Sequence, residues 1–206
     1  MRSLFLTSMF APLAAEFRTF AGGDCRGKTA CLIPTASSQQ TIKHFVNVDR
    51  RALTALGINV SDLEVSKASL KEIRERIARS DYIMVTGGNT FYLLQELRKS
   101  GADQAIIEHI NAGKTYIGVS AGSVILSPSI DFISHMDSTD AVPSLNGDYT
   151  GLGVLDFYLL PHVGNFPFKA AAKAIQRDYS HRYDLHAISN REAIVIRDDS
   201  ESIVRV

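Results

Sequence analysis

Short apolar runs, each too brief for a helix, alternate with segments of helical periodicity through the first 125 residues, and this alternation constrains the fold more than any other feature. Ser3 to Ser8, Lys28 to Pro34, Ile58 to Val65, Tyr82 to Thr86 and Thr115 to Val119 read as strands. Between them, Ala14 to Phe20 reads as a short helix, and Phe45, Val48, Ala52 and Leu56 recur at three- and four-residue steps before Gly57 ends their helix. Ser69 with Glu72 forms a capping box ahead of the stripe Leu70, Ile73 and Ile77. Thr90 is placed to cap a helix that buries Phe91, Leu94 and Leu97 and stops at Gly101, and a further helix from Asp103 to Ala112 stops at Gly113. Strands alternating with helices in this way predict an α/β chain with a doubly wound, mostly parallel sheet.

One strand of that series ends in chemistry. Lys114 to Ser123 reads Lys-Thr-Tyr-Ile-Gly-Val-Ser-Ala-Gly-Ser, a β-forming run that closes on G-x-S-x-G. Glycines two residues either side of Ser120 let backbone pass close by, so the serine is expected at a nucleophile elbow on the carboxyl end of its strand. Ala121 then opens the next helix, where its N–H lacks a helical partner and can stabilise a developing oxyanion. Gly87-Gly88-Asn89 also follows a strand directly. Open α/β sheets bind ligands beyond the carboxyl ends of their strands, so the two loops are expected to share one site.

The rest of the chain narrows the choices. Lys plus Arg and Asp plus Glu number 22 each, the formal net charge is zero, and no basic run marks a nucleic-acid surface. Cys25 and Cys31 are expected to be reduced structural thiols, which suits a cytoplasmic address. The apolar start of the chain is interrupted by Thr7 and Ser8 and preceded by a single positive charge, so it reads as a strand and not as a secretory leader. No later run approaches the ~20 apolar residues of a membrane span. Neither HExxH nor a cysteine cluster occurs, so no metal and no cofactor are expected, and 206 residues fit one domain, residues 1–206. Ser127 to Gly153 is polar and turn-rich, long enough for a lid or specificity loop. Phe157 to Leu160 is a further strand, Phe168 to Tyr179 has helical spacing, and Asp184 to Ser189, Glu192 to Ile196 and Ser202 to Val206 predict a small C-terminal β segment.

A serine hydroxyl needs an adjacent base before it can attack. His44 and His109 fall on predicted helices, and His181 and His186 in polar or strand-edge contexts. His162 instead follows the Phe157 to Leu160 strand at its carboxyl end, between Pro161 and Gly164, and is the expected base; His135, in the long loop, is its rival. Asn190, Glu192, Asp131 and Asp137 are all candidates for the acceptor behind the imidazole.

Taken together, Gly87-Gly88-Asn89-Thr90, Gly118-Val119-Ser120-Ala121-Gly122 and Pro161-His162 resemble the peptidase E (aspartyl dipeptidase) family in order and spacing. Its members share a class I glutamine-amidotransferase-like, flavodoxin-like sheet and include relatives such as cyanophycinase. The resemblance implies a serine peptidase acting on short peptides, dipeptides above all, through an acyl-enzyme on Ser120. It also implies His162 as base, the N–H groups of Gly88 and Ala121 as oxyanion donors, and Asn89 as a substrate contact. The family's third triad member is a Glu on the terminal β segment; an ungapped match puts Asn190 there and leaves Glu192 two residues on. Aspartyl dipeptidases carry a Thr-Arg-rich segment after the histidine, whereas Phe166 to Gln176 here offers Lys169 and Lys173, and Asp131 stands where those enzymes look basic. Aspartate specificity is therefore not expected. The partner is a short peptide, with no nucleic acid and no membrane, and the chain is a monomer or homodimer. Two other readings use the same residues: an α/β-hydrolase-type esterase, and a non-catalytic domain whose Gly87-Gly88-Asn89 loop holds an anion.

Overall fold

The structure is a computed structural model and describes residues 2–40, 44–140, 142–198 and 200–206. Among the described residues nine strands run in chain order: β1 (Ser3–Thr7), β2 (Thr29–Ile33), β3 (Asn59–Asp62), β4 (Tyr82–Val85), β5 (Thr115–Val119), β6 (Tyr158–Leu160), β7 (Leu185–Ala187), β8 (Glu192–Arg197) and β9 (Ser200–Arg205). The helices are α1 (Ala14–Phe20), α2 (His44–Ala55), α3 (Leu70–Arg79), α4 (Thr90–Ser100), α5 (Ala102–Asn111), α6 (Ala121–Val124) and α7 (Lys169–Tyr179). Seven strands form one sheet in the order β3-β2-β4-β5-β1-β8-β9. The first five of that order pair in parallel, while β8 and β9 pair antiparallel, β8 on β1.

The near-continuous apolar strands are explained by burial on both faces. Leu4 and Leu6 of β1, with Ile83 and Val85 of β4, join a core with Ile73 and Ile77 of α3, Leu94 and Leu97 of α4, and Ile106 and Ile110 of α5. The alternate residues Phe5, Tyr82 and Met84 join a second core on the other face, with Phe17 of α1 and Val46 and Leu53 of α2. The main sheet, mostly parallel but mixed, is thus flanked by helices, α1 and α2 on one face and α3, α4 and α5 on the other. Among the described residues no helix is long and apolar enough to cross a membrane.

Three local expectations change. Asn89, not Thr90, caps α4: its Oδ1 accepts the Tyr92 N–H at 2.8 Å, and Thr90 is already helical. The predicted C-terminal β segment is divided, because β7 pairs with β6 in a separate two-stranded sheet while β8 and β9 complete the main one. The 127–153 loop, whose residue 141 lies outside the described residues, is also not a loose flap. Ile130, Phe132, Ile133, Val142 and Leu145 are buried, the backbone bond from Ile130 to Tyr149 ties the loop across itself, and that from Leu152 to Ile125 fastens it to the end of α6.

Candidate active site

Ser120 sits where β5 turns into α6, with φ 49° and ψ −109°. A serine at positive φ is strained by roughly 1–3 kcal/mol, and persists only where its surroundings hold it. Here the Ser120 N–H donates to the Thr7 carbonyl at 2.8 Å, and the Ser120 carbonyl accepts from Ser123 at 2.8 Å and Val124 at 2.9 Å. The Ser123 hydroxyl fastens the same turn to β1, accepting from Thr7 N–H at 3.0 Å and donating to the Thr7 carbonyl at 2.8 Å. Gly122 packs against β4 so closely that a Cβ there would lie 2.0 Å from the Val85 carbonyl oxygen. Only glycine allows α6 to start at that depth.

His162 follows β6 and adopts φ 62°. Its backbone N–H donates to the Ser8 hydroxyl at 2.9 Å, and that hydroxyl is 3.3 Å from the Ile188 carbonyl it donates to. The residue after β1 thereby ties the base to β5 through the parallel β1–β5 pairing. The Phe168 ring stacks on the imidazole at 4.7 Å between centroids. Thus held, His162 Nε2 lies 2.9 Å from Ser120 Oγ and Nδ1 lies 2.6 Å from Asn190 Oδ1. With the proton on Nδ1 donated to Asn190, Nε2 is left as the acceptor for the serine hydroxyl. Asn190 is itself fixed by its N–H, which donates to Asn165 Oδ1 at 2.9 Å.

Burial pushes the His162 imidazole below its ordinary 6.5, against a smaller opposing effect of the Asn190 hydrogen bond. The ring is therefore neutral at pH 7, the state in which it accepts a proton.

The other candidates are engaged by other partners. Glu192 accepts the Ser189 N–H at 2.8 Å and the Arg205 Nε–H at 2.8 Å, so its carboxylate is committed to the β8–β9 hairpin and Asn190 occupies the position behind the ring. Asp131 accepts from the Tyr183 hydroxyl at 2.8 Å, and Asp137 from Thr90. His135 is paired with Asp178 at 3.4 Å. Asn89, expected as a substrate contact, uses Oδ1 to cap α4 and donates from Nδ2 to the Ser138 carbonyl at 2.7 Å.

Gly88 adopts φ 145° with Ala36 so near that a Cβ would meet its carbonyl carbon and oxygen at 2.2 Å. The Asn89 N–H donates to that same Ala36 carbonyl at 2.8 Å. The two glycines thus run under the β2 exit loop and reach the site. Ser120, His162, Asn190, Gly87 and Gly88 all line one cavity of about 540 Å³ at the carboxyl ends of β1, β4 and β5. Its wall is otherwise largely apolar and includes Met9, Phe45, Val48, Ile133, Met136 and the 93 % exposed Phe166 at its rim. Gln40 and His44 also line it, as do two carboxylates, Asp137 and the buried Asp49, which burial raises to about 7. Among the described residues no three His, Cys, Asp or Glu side chains gather as metal ligands.

Ser8, Asn165, Phe168 and Asp49 escaped the sequence reading. Only Ser8 carried a signal, as a polar residue ending an apolar strand whose carboxyl end faces the site.

Comparison with known proteins places the chain among peptidases. The profile of Peptidase family S51 matches residues 4–204. An uncharacterised peptidase of Listeria innocua is 45% identical over 199 residues, 97% of this chain and 94% of that protein. Peptidase E of Salmonella arizonae is 36% identical over 138 residues, 67% of this chain and 56% of that protein. A 1.5 Å crystal structure of a candidate peptidase E from Listeria monocytogenes EGD-e superposes with a TM-score of 0.94 at 44% identity, covering 100% of this chain and 99% of that one. The chain belongs to peptidase family S51, a family of serine peptidases.

Proposed function

We propose that residues 1–206 act as one catalytic domain that hydrolyses short peptides, dipeptides in particular, through an acyl-enzyme on Ser120. The observation that carries this reading is the relay in which His162 Nε2 is 2.9 Å from Ser120 Oγ while Nδ1 is 2.6 Å from Asn190 Oδ1. As Oγ attacks the peptide carbonyl, its proton passes to Nε2 and the carbonyl π electrons move to oxygen. The N–H groups of Gly88 and Ala121 receive that oxyanion. When the tetrahedral intermediate collapses, the C–N bond breaks and the Nε2 proton goes to the leaving amine. Water then attacks the ester, gives its proton to the same nitrogen, and the acid departs as Ser120 recovers its hydrogen.

Asn190 holds the tautomer without adding negative charge, so the imidazolium formed in transit is stabilised less than beside a carboxylate. Cavity size supports the substrate class, since about 540 Å³ accommodates a dipeptide and not a folded chain. The test is Ser120→Ala against a dipeptide panel. Turnover on the best parental substrate is expected to fall by several orders of magnitude, about 10³-fold or more, and parental activity in the variant would refute the mechanism.

A further inference from the structure

Asp137 shows the cavity a carboxylate that is only half used. Its Oδ2 accepts both the Thr90 N–H at 2.8 Å and the Thr90 hydroxyl at 2.6 Å. Its Oδ1 accepts no hydrogen bond among the described residues, and the residue lines the cavity. The two Thr90 bonds fix the group at the first turn of α4, two residues beyond Gly88.

That position matters because of bond geometry. If a carbonyl attacked by Ser120 turns its oxygen to the Gly88 N–H, the α-nitrogen of the same residue lies only about 3 Å from that oxygen, two bonds from the carbonyl carbon. In the first residue of a peptide this nitrogen is a free ammonium, a group that needs an anionic partner when taken out of water. Asp137, bonded to Thr90 two residues beyond Gly88, is held at the wall of the same cavity. Asp49 is the weaker partner, 5 % exposed and already accepting the Ala11 N–H at 3.3 Å. The remaining wall is largely apolar, with Met9, Phe45, Val48, Ile133 and Met136; Gln40 and His44 are among its polar members, and no Lys or Arg belongs to it among the described residues.

We propose that Asp137 Oδ1 binds the α-ammonium of the substrate's first residue while the apolar wall receives its side chain. The site then selects peptides with a free, non-acidic N-terminal residue. This inference rests on Ser120 as the nucleophile. An N-terminal aspartate brings a further carboxylate towards Asp49 and Asp137 with no described lysine or arginine to meet it.

The test compares Leu-Ala, N-acetyl-Leu-Ala and Asp-Ala as substrates of the parent and of Asp137→Asn. The rate at which an uncharged fluorophosphonate labels Ser120 is measured alongside. Asparagine keeps an oxygen for the Thr90 bonds and puts an amide where the free oxygen stood. The parent is expected to prefer Leu-Ala to both other substrates. In Asp137→Asn, kcat/KM for Leu-Ala is expected to fall about 30-fold or more, with labelling within about twofold of the parent. Unchanged Leu-Ala hydrolysis in a normally labelled variant overturns the inference. A parent that prefers Asp-Ala or the acetylated peptide overturns it too, even if the variant does not fold. A parent whose Ser120 takes no label and that cleaves none of the three peptides instead overturns the nucleophile reading beneath it.

Discussion

Asn190 Oδ1 stands 2.6 Å from His162 Nδ1, so the side chain that orients this imidazole is a neutral amide. Burial holds His162 below 6.5, and among the described residues no carboxylate behind the ring counters it. The acid limb of kcat/KM is therefore expected below pH 6.5. Asn190→Asp places a negative charge against Nδ1, favours the imidazolium and moves that limb to higher pH. Asn190→Ala removes the orienting bond, and kcat is expected to fall about 10-fold or more. A pH profile of kcat/KM for the three proteins decides this, and an acid limb unmoved in Asn190→Asp would contradict it.

Much of this arrangement is written in local sequence. The elbow is legible because Gly122 and Ser120 meet a steric demand at fixed spacing, and His162 because it follows an apolar strand, β6, at its carboxyl end, although that strand belongs to the small sheet and not to the main one. Strand and helix order is legible because both sheet faces are buried, which gives apolar runs such as Tyr82 to Val85. What sequence could not settle depends on long-range partners. Asn190 and Glu192 are two residues apart, and the choice between them follows from Arg205 and Ser189 claiming Glu192 and from Asn165 holding Asn190. The 127–153 segment reads as polar, yet Phe132, with Tyr158, Tyr179 and Tyr183 around it, fixes it to the β6–α7 region.

Ser8 is expected to act on the base without touching substrate. Its hydroxyl accepts the His162 N–H and donates to Ile188, so Ser8→Ala leaves a buried N–H without a partner at a cost of about 1–3 kcal/mol. A fall in kcat with KM little changed is the expected signature, because the backbone that carries the imidazole is what shifts. Equal losses in both constants, or none, would count against this role.

Gly88→Ala is expected to damage fold and activity together. The backbone is at φ 145°, and a Cβ would lie 2.2 Å from Ala36. Overpacking of this kind costs about 1–3 kcal/mol or more, and relief requires moving the loop that carries the Gly88 N–H. Urea denaturation together with dipeptide turnover checks both, and a variant with parental values in each would show that the close approach is unimportant.

Asp49 gives a pH dependence of stability with a definite sign. Its carboxyl is raised by burial from 3.8 to about 7. The folded protein therefore holds a proton that the unfolded chain releases near pH 4, and this favours the fold at low pH. That advantage is lost as pH rises from about 4 to about 7. Asp49→Asn removes the titration, and above pH 7 it is expected to be the more stable protein by up to roughly 4 kcal/mol. Denaturation at pH 5 and pH 8 should show the difference growing with pH; a constant or shrinking difference contradicts the assignment.

Covalent trapping tests the central claim most directly. The parent, Ser120→Ala and His162→Ala are each incubated with a serine-directed fluorophosphonate, and the adduct is located by peptide mass mapping. A single adduct on Ser120 in the parent, absent in Ser120→Ala and much slower to form in His162→Ala, is the expected result. Hydrolysis of dipeptides by a parent whose Ser120 stays unmodified, or labelling at an undiminished rate without His162, would contradict it.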